Sequence, residues 1–467
     1  MFRLGTPSAR VRSLLDHPEG KVIWARLAGA SGLLFGANGI TGAMNFASFL
    51  LTVRHLSTKA FGSLNITLIT MQFVSSLMAL GINESMVTLV SRSEAARDSD
   101  DTLALIGASL RARLIIASIG FGLGSLLVRP LAGRLFHQPD LAWPLFLGVV
   151  GACGTSLFQF VQAIFLSLRR YRLYSVATII RFAPILVALT TLVLVRRLTL
   201  STAILVNVGA PFLALPFTFS MVPVPVVYLR HKAMQVWPRL WRLSKWLFIV
   251  SLCTMCFSRL EVYFLTAFAS VAEVGRFSAA FDLCGGLLLV EGVVRSVLLA
   301  EISSRANMPK RGRFVAQCSG LLLGAGILLW CGGAAVRPFL GLILGRQYAT
   351  IGSIFLILVA ARVGVLPVIP LNVLFFAQDR TRAVAVVALT QLAALIIGGY
   401  SLIPGHGAMG AAWTQLLVTV AAILGALALS WSSLVENQPT IETEENRPAV
   451  VGSSDRSTRA HVPNVRA

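Results

Sequence analysis

The chain has 467 residues, of which 56% are hydrophobic and only 13% charged, and its mean hydropathy is +0.78. A soluble globular domain carries roughly 25% charged residues, so this composition describes a chain built mostly of membrane-crossing segments. The net charge of +21 would suit nucleic acid if the basic residues formed one domain. They are scattered over short loops instead, where anionic lipid headgroups account for them, and no nucleic-acid partner is expected.

Apolar windows of about 20 residues predict spans near 28–53, 60–82, 108–128, 142–167, 173–195 and 202–228, then 244–268, 276–300, 315–336, 348–374, 383–403 and 407–431. A soluble helical bundle would need a polar face on each helix, and residues 321–329 and 384–397 have none. The expected fold class is therefore all-α integral membrane, with about twelve transmembrane helices. Residues 1–27 form a polar lead, expected to be a cytoplasmic N-terminal segment. The apolar stretch after it exceeds the roughly 7–15 residues of a signal-peptide core, so it is read as a span and not as a cleaved signal.

Along the spans, polar residues are few and specific. Asn38 and Asn45 lie two turns apart on one face of the first helix, and Gln72, Gln159, Gln162 and Gln391 add further amides. Each amide is suited to a hydrophilic path or to an interhelical hydrogen bond. Glycines at 32 and 36, and at 320 and 324, allow close helix approach. Pro211, Pro216, Pro223 and Pro225 are expected to break the sixth span, and Pro367 and Pro370 the tenth. The six cysteines all fall inside predicted spans and read as small packing residues.

The two halves are related by a repeat. Ser57-x-x-x-Phe61-Gly62-x-Leu64 recurs as Ser270-x-x-x-Val274-Gly275-x-Phe277, and Ser91-Arg92 recurs as Ser304-Arg305, both at an offset of 213 residues. Six spans separate the copies, so both halves insert in the same orientation, as in transporters whose repeats are related by a pseudo-two-fold along the membrane normal. The expected organisation is an N-lobe over 28–228, a cytoplasmic linker over 229–243, a C-lobe over 244–431 and a polar, disordered tail over 432–467.

Of the 40 Lys and Arg, 27 fall to the N-terminus, the even-to-odd loops and the tail, and nine to the opposite side. The excess predicts that both termini are cytoplasmic. Four arginines lie within spans: Arg259, Arg295 and Arg362 deeply, and Arg181 near enough to its helix end to snorkel. A charge at the bilayer centre costs about 2.5–3.5 kcal/mol on insertion scales, so such residues mark pathways or pairs. The acids among them are Glu261, Asp282 and Glu291. Glu291 and Arg295 share a helix face and suit a structural pair. Arg259 and Glu261 point in different directions, and each needs a separate partner.

The tract holding Ser258-Arg259-Leu260-Glu261-Val262, followed by Ser270-Val271-Ala272-Glu273-Val274-Gly275-Arg276-Phe277, resembles the start of the second half of the Wzx-type polysaccharide flippases. That family belongs to the MOP exporter superfamily, with the MATE drug exporters and the lipid II flippases. Glu261 stands where the family more often has aspartate. Leu80-Gly81-Ile82, Leu344-Gly345-Arg346-Gln347-Tyr348 and the turn Ile403-Pro404-Gly405-His406-Gly407 carry further likeness.

The resemblance implies a MATE-like pair of six-helix lobes. It also implies alternating access that moves a lipid-linked, undecaprenyl-pyrophosphate type of glycan outward across a bacterial inner membrane. Membrane lipids, and glycan polymerase or chain-length machinery, are the implied partners. A phosphate-bearing substrate points to Arg259, Arg362 and Arg295 as binding residues, because a guanidinium presents a planar fork of donors to phosphate oxygens. Asn38, Asn45, Gln72 and Gln159 suit the sugars, and Glu261 and Asp282 suit coupling to protons or sodium. A cation-coupled drug exporter of the MATE type is the alternative, for which carboxylates and aromatics would dominate the cavity. A membrane polymerase or transferase would need a larger external loop than 129–141. No phosphate loop, His-Glu-x-x-His or Cys/His cluster is present, so neither catalysis, a cofactor nor a metal is expected.

Overall fold

The computed structural model describes residues 18–222, 233–287, 311–377 and 381–436, with isolated positions between 291 and 298. Every regular element among the described residues is helical. The first half contains α1 (Pro18–His55), α2 (Thr58–Ala79), α3 (Ile82–Ala95), α4 (Ser99–Pro130), α5 (Ala142–Ser167), α6 (Tyr171–Leu194) and α7 (Leu200–Ser220). The second contains α8 (Ala233–Phe268), α9 (Val271–Leu283), α10 (Arg311–Val336), the short α11 (Leu340–Leu344), α12 (Gly352–Val365), α13 (Ile369–Ala377) and α14 (Thr381–Glu436).

Eight helical segments among the described residues are long and apolar enough to cross a membrane, the chain being a multi-pass membrane protein. One of them, residues 386–429, holds two of the predicted spans and is kinked at Gly407, whose φ of 52° and ψ of −129° leave the helical region. The predicted spans 28–53, 244–268 and 276–300 run partly through positions outside the described side chains. Helices among the described residues overlap the predicted spans, but their bounds differ, and the expected count of twelve spans is not reached among those residues. α1 begins at Pro18, inside the predicted N-terminal segment, and α8 begins at Ala233, inside the predicted linker. α7 passes unbroken through Pro211 and Pro216, against expectation, whereas Pro367 sits in a 3-10 turn (Leu366–Val368) that separates α12 from α13. Pro223, Pro225, Ser304, Arg305 and the tail beyond Glu436 lie outside the described residues.

The molecule has two ends, distinguished by charge. The sparse end carries the turns at 56–57, 131–141, 195–199, 269–270 and 337–351, and the basic end carries the larger share of the Lys and Arg among the described residues. At the sparse end the repeat becomes a physical contact. Ser57 and Ser270 cap α2 and α9, their side chains accepting from Ala60 N and Glu273 N, each at 3.3 Å. A Cβ on Gly62 would collide with the Val271 carbonyl oxygen, and one on Gly275 with the Thr58 carbonyl oxygen. Thr58 and Val271, like Gly62 and Gly275, are 213 residues apart, so the α2–α9 crossing is its own image under the pseudo-two-fold. One apolar core fills this end across both lobes, from Phe61 and Leu64 to Phe277 and Tyr348.

The α10–α12 connection closes over that core. Arg54 donates from Nε to Ile343 O and from Nη2 to Leu342 O, both at 2.7 Å. Gln347 Nε2 donates to Val53 O at 3.1 Å and to Leu56 O at 2.8 Å. Tyr348 is fully buried with its ring edge-on to Phe61, and Gly345, with φ of 105°, makes the turn that delivers it there.

α8 serves both lobes. Its first half packs on the N-lobe, where Val236 shares an apolar cluster with Met86 and Val90, and Leu240 one with Ile82 and Ala112. Ser244 Oγ donates to Ser85 Oγ at 2.9 Å. Leu80 and Gly81 are left-handed and bend the chain between α2 and α3, and a Cβ on Gly81 would meet Phe248 N at 2.6 Å. The second half of α8 packs on α14, through the Glu261 and Gln415 contact. A lobe boundary at residue 244 therefore cuts through a continuous helix.

Candidate functional site

Between the lobes lies a cavity of about 1110 Å³. Its walls come from α1 (Asn38, Asn45), α2 (Asn65, Gln72), α5 (Gln159, Gln162), α6 (Tyr174, Arg181), α7 (Asn207) and α8–α9 (Arg259, Asp282). Of the six amides singled out from the sequence, Asn38, Asn45, Gln72, Gln159 and Gln162 line it and Gln391 does not. A second cavity of about 710 Å³ shares Gln159, Gln162 and Tyr174 with the first and continues toward the basic end past Asn83, Glu84 and Thr88. The sparse end is shut by the α2–α9 crossing and the Tyr348 segment.

Among the described residues, the charges in the main wall are Arg181, Arg259 and Asp282. Arg259 Nη2 donates to Asp282 Oδ1 at 2.9 Å, so the partner that the Arg259 position demands is supplied by the next helix. Arg181 is the other cation. Its guanidinium lies 5.1 Å from the centre of the Phe158 ring and 5.2 Å from that of Phe182, and Nη2 donates to Thr155 Oγ1 at 3.4 Å. Its Nε has no partner. The snorkelling expected for Arg181 is thus replaced by a place in the cavity wall, because its rotation on α6 aims it between the lobes rather than at the membrane surface.

Arg362 and Glu261 do not line the cavity; they stand behind it. Phe281 is held between two guanidiniums, with Arg259 4.3 Å and Arg362 4.5 Å from its ring centre. Glu261 is fully buried and accepts from Gln415 Nε2 of α14, leaving Oε2 without a partner. Arg295 pairs with Glu291 at 3.3 Å, in the i,i+4 arrangement expected of a structural pair. It does not line the cavity either.

Two features went unread in the sequence. Arg113, counted with the basic end, is fully buried on α4 and donates from Nη2 to Asn83 Oδ1, with Nε and Nη1 unpartnered. Glu273, at the sparse end, accepts from Ala408 N at 3.0 Å and from Arg276, capping the last helix after its kink. The Ser-x-x-Glu spacing at 270–273 signals only the local cap of α9.

Residues 28–296, more than half of the chain, match the family described as polysaccharide biosynthesis protein. The chain belongs to the polysaccharide biosynthesis protein family. No curated protein sequence matches it. Among solved structures, this family member is similar to a lipid II flippase MurJ in an inward closed conformation, at 13% identity over 86% of this chain and 87% of that chain, with a TM-score of 0.67. It is also similar to a multidrug resistance MATE family transporter of the MOP superfamily, inward-facing, at 13% identity over 85% of this chain and 96% of that chain, with a TM-score of 0.63. An outward-facing MATE structure gives a TM-score of 0.56 at 11% identity over 92% of this chain and 98% of that chain. At these identities the likeness is one of fold: two helical lobes in the MATE arrangement.

Proposed function

We propose that the protein flips a lipid-linked oligosaccharide from the cytoplasmic to the external leaflet of a bacterial inner membrane by alternating access between its two lobes. The observation that carries this reading is the charge balance of the polar cavity. Arg259 and Asp282 neutralise each other across 2.9 Å, which leaves Arg181 as the net positive charge among the described lining residues, surrounded by amides. Such a wall receives an anionic group and hydroxyl-rich sugars together, as a pyrophosphate-linked glycan presents them. A drug exporter for cationic compounds needs the opposite sign, so the MATE likeness is carried by the fold and not by the cavity.

With the basic end cytoplasmic, as the distribution of Lys and Arg favours, the closed end is external and the molecule stands inward-facing. In this reading Arg181 and Arg259 touch the phosphate, and Arg362 holds Phe281 and through it Arg259. Asn38, Asn45, Gln72 and Gln159 contact sugars, and Arg295 is structural. Glu261 and Asp282 are the groups through which an ion gradient would act.

The test is complementation of a strain lacking this protein. Arg181→Ala and Arg259→Ala should each abolish surface glycan while leaving the protein in the membrane, and lysine at either position should restore only part, keeping charge without the planar fork. Full activity in both alanine variants would overturn the reading.

A further inference from the structure

The second cavity has donors and acceptors fixed in advance. Arg113 offers only donors and bonds Asn83 Oδ1. That bond settles the amide's orientation and leaves the Asn83 N–H2 group as the donor presented to the cavity that Asn83 lines. At the wall shared with the first cavity, Thr178 Oγ1 donates its single hydrogen to Tyr174 O at 2.8 Å. The same hydroxyl must therefore accept from Gln162 Nε2, which lies 2.9 Å away. Gln162 is thereby turned so that its carbonyl oxygen remains as acceptor. Both amides are normally ambiguous between two flips, and here neighbouring groups remove the ambiguity at each.

The rest of the wall joins polar groups to the apolar side chains of Ala79, Val87, Ala163, Leu166 and Met255. Tyr174, Thr88, Ser76, Ser251 and Gln159 add an aromatic face, hydroxyls and a further amide, and Glu84 is the acid of this lining. Glu84 lies in the field of the buried Arg113, so the described wall has no net positive charge to draw a phosphate, whereas sugar hydroxyls donate well to a carboxylate. The anion-receiving charge of Arg181 lies in the adjoining cavity, past the shared wall of Gln159, Gln162 and Tyr174.

Resting on the flippase reading, we propose that this vestibule is the specificity-determining subsite for the glycan. Asn83 as fixed donor, and Gln162 and Glu84 as acceptors, read the first sugars while the phosphate sits at Arg181. Arg113, which touches no substrate, acts by holding Asn83. A locked pair discriminates more sharply than free amides, because a sugar with the wrong group covers a half-buried donor or acceptor without pairing it.

The test measures binding to the full-length protein purified in lipid nanodiscs, with two probes: a polyprenyl pyrophosphate without sugar, and the same pyrophosphate bearing one N-acetylhexosamine. The sugar-bearing probe should bind about tenfold more tightly, as one or two well-placed hydrogen bonds give. Asn83→Asp keeps the acceptor that Arg113 needs but removes the donor, and Gln162→Met removes the acceptor at similar volume. Each should erase that tenfold difference while leaving the bare pyrophosphate within about twofold of its wild-type affinity. Arg181→Ala should weaken both probes alike. Equal wild-type affinity for the two probes, or variants that weaken both equally, would overturn the vestibule assignment and leave the flippase reading standing. Failure of the wild type to bind either probe would overturn the flippase reading and the assignment with it.

Discussion

At the residue scale, the arginines inside the bilayer divide by partner. Arg259 has Asp282, Arg295 has Glu291, and Phe281 is shared by Arg259 and Arg362. A cation over an aromatic face contributes about 0.5–2 kcal/mol depending on desolvation. Phe281→Leu should therefore destabilise the purified protein by about 1–3 kcal/mol, read as a lowered thermal midpoint, since it loses both ring contacts and some packing. Phe281→Tyr should retain most of the stability. A leucine variant as stable as wild type would show that the sandwich is incidental. Glu261 carries a second prediction. If it couples transport to an ion gradient, Glu261→Gln should remain folded and transport without responding to an imposed pH or sodium gradient; loss of the protein from the membrane would instead mark it as the structural partner of Gln415. The sequence made Arg259, Asp282 and Glu261 legible because a charge amid apolar residues is conspicuous wherever its helix turns. It did not reveal Arg181 and Arg113 correctly, because hydropathy reports depth along a helix but not rotation about it. Arg181 proves to face the cavity, and Arg113 proves to be buried beneath Asn83.

At the element scale, the α2–α9 crossing depends on two glycines. Side chains at 62 or 275 would push a Cβ into the backbone of the opposite helix, against a carbonyl that has no rotamer by which to yield. Gly62→Ala and Gly275→Ala should each weaken closure of the sparse end and lower transport. Because they wedge the same crossing from its two symmetric sides, the double variant should lose less than the sum of the singles. Gly36→Ala is the control, since nothing lies within 4 Å of a Cβ there. Additive losses, or an equal loss at Gly36, would refute the idea of a shared pivot. Half of this contact is visible in the sequence. The offset of 213 residues exposed the repeat, because each half needs the same Ser cap and the same glycine one turn later. That the two copies meet each other is a property of assembly, which no local pattern encodes. The same limit explains α8: polar residues such as Arg239 and Arg242 suggested a linker, yet Val236, Leu240 and Ser244 between them find a surface on α3 and α4 that keeps the segment helical.

At the scale of the whole molecule, closure and charge point to the same orientation. The end sealed by Arg54, Gln347, Tyr348 and the glycine crossing is the end poor in Lys and Arg, and the second cavity extends toward the basic end. A reporter fused after Val435 should therefore read cytoplasmic, and an external signal there would invert the assignment. Alternating access further requires that the sealed end separate during every cycle. The Arg54 side chain now bridges α1 to the carbonyl groups of Leu342 and Ile343, at 2.7 Å each, and no covalent bond ties these segments. Cysteines at 54 and 342, joined by a short thiol cross-linker applied from outside, should stop transport completely, while each single-cysteine variant treated in the same way should keep its activity. A cleavable linker should return activity on reduction, which separates locking from damage. If the linked protein still transports at the rate of the unlinked one, the sealed end does not open, and substrate must leave by another route.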